Sequence, residues 1–238
     1  MIAVTEDRRT LALAMARLGQ PVTVLPGARP RADLLPGKVL AVHAGPGGDA
    51  PGQVTAGTVE TLLRQARDRR DVTVSLDLDI DPDMCAAPAA VREQWERQVA
   101  LAHVVRVSAA DLAVLYPGVP ATAVLAAWHA EGLPCGIATL GSDGAYLLAP
   151  NGVAYRRAGF RVRVRDTTGA ADAFTAGALA TLALSGALGD HPVDRLAGVS
   201  PQQWLAVLDH AGLAAALACA RPGANPPTHD DICAARAA

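Results

Sequence analysis

The chain has 238 residues, 51% of them apolar and 18% charged, with a formal net charge of −2. That is enough apolar chain to bury a core as one domain, 1–238, and the balanced charge offers no basic face to a nucleic-acid backbone, which argues against a nucleic-acid partner. Charged residues begin at Glu6, too early for a secretory leader, and apolar runs such as LAAALACA (213–220) are too short to span a bilayer, so the expectation is a soluble cytoplasmic protein without a membrane partner. The four cysteines, Cys85, Cys135, Cys219 and Cys233, form no CxxC pair and read as small buried apolar residues.

Short Val-rich runs then alternate with longer Ala- and Leu-rich ones. Ile2–Thr5 predicts a buried strand, and Leu11, Met15 and Leu18 recur at helical spacing behind it. Val22–Leu25 and Val39–Val42 predict two more strands, followed by a glycine-rich loop, HAGPGGDAPGQ (43–53). Val59, Leu62, Leu63 and Ala66 predict a helix with Arg64, Arg67 and Arg70 on its other side. Strands are expected at Val72–Leu78, Val104–Val107 and Ile137–Leu140; Ser108 and Asp111 have capping-box spacing and start a helix that ends before Pro117. GSDG and PNG separate three strand-like pieces, Ala145–Ala149, Val153–Arg157 and Phe160–Val164, which predicts antiparallel hairpins over 141–165. Helices are expected at 170–184 and Pro201–Ala220, and ARPGANPPTHDDI (220–232) reads as a loop leading to a short end. This alternation implies right-handed crossovers and a mostly parallel sheet covered by helices on both faces, a three-layer α/β/α sandwich.

DTTGAADAF (166–174) stands where a strand-like run gives way to a helix. A helix opening near Ala170 turns its unpartnered first N–H groups and its positive dipole end toward whatever lies in front, which suits an anion. Gly169 would let the backbone approach a phosphate, with Ala170, Ala171 and Asp172 supplying donors and the Asp172 carboxylate within reach of the same point. On spacing alone the alternative is as good: Asp166 or Thr168 caps the helix and Asp172 complements its dipole. His43, Asp77 and Asp79 follow or end strands, where ligands of parallel sheets bind, and are the candidates for substrate contact. Glu6, Asp7, Arg8 and Arg9 read as a solvated first turn, and Trp95, Trp128 and Trp204 as helix packing.

DTTGAADAFTAGALATL resembles the C-terminal signature of the ribokinase-like, PfkB-type carbohydrate kinases, D-T-x-G-A-G-D-x-F. TLGSDGAYLL (139–148), VRVSAADLAVL (105–115), CARPGANPP (219–227) and ALAMARLGQPVTVLPG (12–27) are similar to further segments of that family in the order it requires. The resemblance implies a ribokinase-like fold and an ATP-dependent kinase acting on a small hydroxyl compound, with Mg2+ and a monovalent cation such as K+. It makes Asp172 the catalytic base, Gly169 to Asp172 the anion hole, and Thr139, Gly141, Ser142, Gly144, Asp166, Thr168, Gly223 and Asn225 the nucleotide side; Asp111 and Asp166 would serve metal. The chain departs from the pattern in three places. Ala171 replaces a glycine, Ser108 and Asp111 replace Asn and Glu, and MIAVT runs directly into EDRRTLALAMARLG with neither a lid nor the sugar-binding glycine pair. Those losses keep a catalytically impaired nucleotide-binding relative in play, and a sheet edge without its lid would suit a homodimer.

Overall fold

The structure is a computed structural model and describes residues 1–5, 8–25, 39–45, 54–78, 80 and 87–237. Asp79, Cys85 and most of the glycine-rich stretch (46–53) lie outside the described residues. Strand and helix alternate as β1 (Ile2–Thr5), α1 (Arg9–Arg17), β2 (Val22–Leu25), β3 (Ala41–Ala44), α2 (Ala56–Arg69), β4 (Thr73–Asp77), α3 (Pro88–Val99), β5 (Val104–Ser108), α4 (Ala109–Leu115), α5 (Ala121–Ala130) and β6 (Cys135–Thr139). After these come β7 (Ala145–Leu148), β8 (Ala154–Arg157), α6 (Ala170–Leu184), α7 (Pro192–Ala197), α8 (Pro201–Cys219) and α9 (His229–Ala237). The sheet order is β2-β1-β3-β4-β5-β6-β7-β8. Its first six strands run parallel and β7 and β8 are antiparallel, as expected of a ribokinase-like sandwich.

Side-chain alternation divides two cores. Ile2, Val4, Val104 and Ile137 pack with α1, α6 and α8 on one face, while Ala3, Val42, Val74 and Val105 pack with α2, α3, α4 and α5 on the other. The first face is not wholly apolar: Ser75, Asp77, Arg106 and His43 are all buried there. They lie on neighbouring strands, with His43 beside Ser75 and Asp77 beside Arg106 in register. Helices α6 and α8 approach closely because Gly177 lacks a side chain; a Cβ there would stand 2.9 Å from the Ala211 Cα. Among the described residues no helix is long and apolar enough to cross a membrane.

Three expectations need correction. Phe160–Val164 forms no strand. The chain turns at Gly159, whose Cα packs so closely on the Ser142 carbonyl that a Cβ would overlap it. The Arg165 N–H then bonds the Cys219 carbonyl at 2.8 Å, which carries the segment toward the end of α8 rather than along β8. The tail forms a helix, α9, anchored by buried Ile232 and begun by Thr228 and Asp231, whose side chains cap each other's backbone N–H groups. Of the three described cysteines only Cys135 is buried.

Two consequences of this packing are measurable. Gly144 holds φ at +95°, and a Cβ there would overlap the Arg157 carbonyl oxygen. Gly144→Ala is expected to cost about 2–4 kcal/mol, seen as a lower urea midpoint at unchanged slope. His43 and His103 are the second case. Burial, aided by the charge of Arg8, lowers His43 to about 3; burial, aided by Arg67, lowers His103 to about 4. The unfolded chain protonates both near their ordinary value of 6.5 and so binds more protons than the folded chain below it. Their contribution is therefore complete above pH 6.5 and falls toward pH 4 by about 1.4 kcal/mol per pH unit for each histidine. Urea unfolding between about pH 6 and pH 5 should show that slope, and His103→Gln should remove about half of it.

Candidate active site

The loop before α6 is built from hydrogen bonds to Asp166. Its Oδ1 accepts from the Thr168 N–H and its Oδ2 from the Gly223 N–H, both at 2.9 Å. These bonds, the Thr168 backbone foremost, hold the carboxyl below its usual range and join the 166–169 loop to the 223–225 loop. Arg17 secures the second loop from α1: it bonds the Asn225 side chain and the Pro226 carbonyl, the latter at 2.6 Å. Gly169 begins α6 at φ +77°, and a Cβ there would lie 3.4 Å from both Ala224 and Thr10. Glycine is needed because the left-handed backbone and the close walls coincide.

In the first turn of α6 the intrahelical ladder starts with Ala173 N–H on the Gly169 carbonyl, 2.9 Å. The Ala170 N–H, expected to face an anion, instead donates to the Thr167 carbonyl at 3.1 Å. That closes one of the expected donor positions. Ala171 lies within the helix and outside the positive-φ residues, so the methyl that replaces the family's glycine brings no backbone strain. The Asp172 side chain keeps 17% exposure, and its Oδ1 accepts from the Arg8 guanidinium at 2.9 Å.

Arg8 is the functional residue that the sequence reading missed, since it was expected in solvent and is 8% exposed. The same Nη2 that meets Asp172 also donates to Asp77 Oδ2 at 2.8 Å. Asp77, fully buried, accepts further from Arg106 Nη1 at 2.7 Å and from the Thr175 hydroxyl at 2.9 Å. Burial pushes its carboxyl up, but Arg106 and Arg8 together outweigh burial and hold it below the carboxylate range. Both oxygens of Asp77 thus face protein cations and a hydroxyl. Arg106 goes on to donate to Thr139 Oγ1 at 3.1 Å, so the chain of contacts runs from Asp172 through Arg8, Asp77 and Arg106 to the end of β6.

The remaining candidates fall around this chain. His43, on β3, places Nδ1 3.0 Å from Ser75 Oγ and leaves Nε2 with no hydrogen-bond partner among the described residues. Gly141, Ser142 and Asp143 form one 3₁₀ turn after β6, closed by Gly144. Ser108 and Asp111 form the capping box of α4: Asp111 N–H donates to Ser108 Oγ at 2.9 Å and Ser108 N–H to Asp111 Oδ2 at 3.3 Å. The Ile80 N–H donates to Asp111 Oδ1 at 3.3 Å, so both carboxylate oxygens serve the protein, while burial raises the group above its usual range. Among the described residues no group of three or more His, Cys, Asp or Glu is arranged to hold a metal ion.

No curated protein sequence matches the chain. In fold it is similar to aminoimidazole riboside kinase from Salmonella enterica, a structure complexed with aminoimidazole riboside and an ATP analog. That match has a TM-score of 0.73 and 21% identity, over 96% of this chain and 90% of that one. Fructokinase with bound ATP from Xylella fastidiosa matches with TM-score 0.73 and 20% identity, over 94% and 88% of the two chains. A fructokinase double mutant from Vibrio cholerae, with fructose, ADP and potassium bound, matches with TM-score 0.69 and 19% identity, over 98% and 92%. The family model of the pfkB carbohydrate kinases matches residues 32–231, and with the glycine-started α6, its first-turn carboxylate and the sheet beneath them, the chain belongs to the pfkB family of carbohydrate kinases.

Proposed function

We propose that the protein transfers the γ-phosphoryl group of ATP to a hydroxyl of a small, carbohydrate-like acceptor. The observation that carries this is the start of α6: Gly169 in the left-handed conformation, the Ala171 N–H ahead of the ladder, and the partly exposed Asp172 carboxylate in the same turn. In the proposed reaction Asp172 takes the acceptor's hydroxyl proton as that oxygen bonds the γ-phosphorus. The bond from phosphorus to the β,γ-bridging oxygen breaks, and ADP leaves with the electron pair. Thr139, Gly141, Ser142, Gly144, Thr168, Gly223 and Asn225 border the nucleotide side. Asp77 serves as the anchor of Arg8 and Arg106, and His43, expected at the acceptor, is wholly buried beside Ser75 and would act on the acceptor only through its neighbours.

Asp111 is fully engaged by its cap and Asp166 by two backbone donors. Asp111 therefore fits a magnesium ion only through water, while Asp166, partly exposed to solvent, would hold one carried in on the phosphates. Bound so, the ion would neutralise charge on the phosphate oxygens. A monovalent cation would draw on the carbonyls of the 166–169 and 223–225 loops, of which those of Thr167, Gly169 and Gly223 already accept backbone N–H groups.

Arg8 supports a second reading, in which the base is held closed and the protein binds nucleotide with little turnover. Mg-ATP should raise the melting temperature under either reading. Under the kinase reading, Asp172→Asn lowers turnover about 10²–10⁴-fold against a responsive acceptor while leaving the Mg-ATP melting shift in place. Arg8→Lys, which keeps the charge and loses the shared fork, should lower turnover as well. Faster turnover in Arg8→Lys would establish the closed-base reading, and equal turnover in Asp172→Asn and the parent would remove Asp172 as base.

A further inference from the structure

A cleft of about 420 Å³ opens at the other end of the sheet from Asp172. Its walls come from both helical layers: Arg67, Asp68 and Arg70 at the end of α2, His103 just before β5, and His191 to Asp194 at the start of α7. The floor differs from the rim. His103 is only 4% exposed, and its Nδ1 accepts from the Val74 N–H at 2.9 Å. That bond places the ring proton on Nε2, and among the described residues no hydrogen bond to Nε2 is seen; His103 lines the cleft. Burial and the neighbouring Arg67 keep the ring neutral well below pH 7, so this donor is constant across the physiological range. Beside it the half-buried Arg67 is fixed by bonds from Nη1 to the carbonyls of Ala100, 3.0 Å, and Ala102, 3.5 Å. Among the described residues the other nitrogens of its fork make no hydrogen bond, which suits them to a ligand.

The rim carries Asp68, Arg70, His191 and Asp194, all exposed. Acids therefore stand at the mouth, whereas the floor offers donors alone. Arg70 (φ 57°) and His191 (φ 50°) are the two non-glycine residues with positive φ among the described residues, and they are joined by a 3.0 Å bond from His191 N–H to the Arg70 carbonyl. A left-handed cap is ordinarily glycine, and another residue costs about 1–2 kcal/mol there. Both strained positions lie on this one rim, as expected where side chains are kept for a purpose other than turning the chain.

We propose that this cleft binds a small oxyanion, the phosphate or carboxylate group of a metabolite, on the Arg67 guanidinium and the His103 Nε2–H, at a site separate from the phosphoryl-transfer centre. Its residue His103 immediately precedes β5, the strand of Arg106, and bonds Val74 of β4, the strand whose far end carries Asp77. From Val74 to Asp77 is three residues, about 10 Å of strand.

Histidine-selective ¹⁵N NMR reads the proposal directly. The full-length protein is titrated at pH 7 with inorganic phosphate in one series and succinate in another. A saturable shift of the His103 Nε2 resonance is expected in at least one series, with Kd on the order of 1 mM, and the responding series identifies the oxyanion. Arg67→Gln should weaken that binding at least tenfold. Asp68→Asn, which removes an acid at the mouth without touching the floor, should tighten it two- to threefold. Asp172→Asn should leave it unchanged. No saturable shift in either series, or the same affinity in Arg67→Gln and Asp68→Asn as in the parent, overturns the proposal whatever the outcome of the kinase assays.

Discussion

Two guanidinium groups share one carboxylate that water does not reach, and the candidate site is arranged around that triad. Asp77 has no exposed surface, so its charge is tolerated only because Arg8 and Arg106 stand 2.8 and 2.7 Å from it and the Thr175 hydroxyl fills a further acceptor position. Each partner belongs to a different element: the entry to α1, the middle of β5 and the second turn of α6. One buried group thereby fixes four pieces of chain relative to one another. Asp172 lies three residues before Thr175 on α6, on neighbouring turns of one helix face, so the anchor that locates Thr175 also locates the proposed base. Removing one member of a buried ionic group costs more than the group contributes as a whole, because the others are left buried and unpaired.

The loops in front of α6 solve a different problem by the same means. A single carboxylate, Asp166, bridges the gap between 166–169 and 223–225 by receiving one backbone N–H from each. Donors that would otherwise be orphaned at a helix start are consumed in holding the walls together, and the Ala170 N–H is consumed as well. The anion-binding capacity of this helix start is therefore concentrated on the few groups beyond Thr167, which sharpens where charge can be placed.

What was legible in the sequence was what is periodic or contiguous. Ile2–Thr5, Val22–Leu25 and the helix 170–184 match the structure to the residue, because buried parallel strands and an Ala-rich helix carry their own patterns. The Ser108–Asp111 capping box was legible for the same reason, being complete within four residues. Arg8 was not. Its partner on α6 is 164 residues away, and a basic residue ahead of a helix looks the same in sequence whether it faces water or a buried acid. A signal did exist: Asp77 and Arg106 interrupt otherwise apolar parallel strands in TVSLD and VVRVS, and charges so placed require partners. Pairing them would have left a net positive cluster once a second arginine joined, and Asp172 is the acid that balances it. FRVRV is not a strand, and what holds the chain after it is non-local, the bond of Arg165 N–H to the Cys219 carbonyl at the end of α8, which no alternation of residue types reveals.

That pairing also bears on how the proposed chemistry would proceed. Among the described contacts, the cluster sets two carboxyl groups, Asp77 and Asp172, against two guanidinium groups, Arg8 and Arg106, and such pairing offsets the cost of keeping charge away from water. Transfer of the acceptor's proton to Asp172 would remove one negative charge from this group and leave Arg8 facing a neutral carboxyl there. The excess positive charge then sits beside the helix start where negative charge is spread over the passing phosphoryl group. It appears with proton transfer and is absent from the resting site, so it favours the transition state over the ground state. On this view the contact between Arg8 and Asp172 is the resting half of a charge cycle that only an aligned acceptor and phosphoryl group complete.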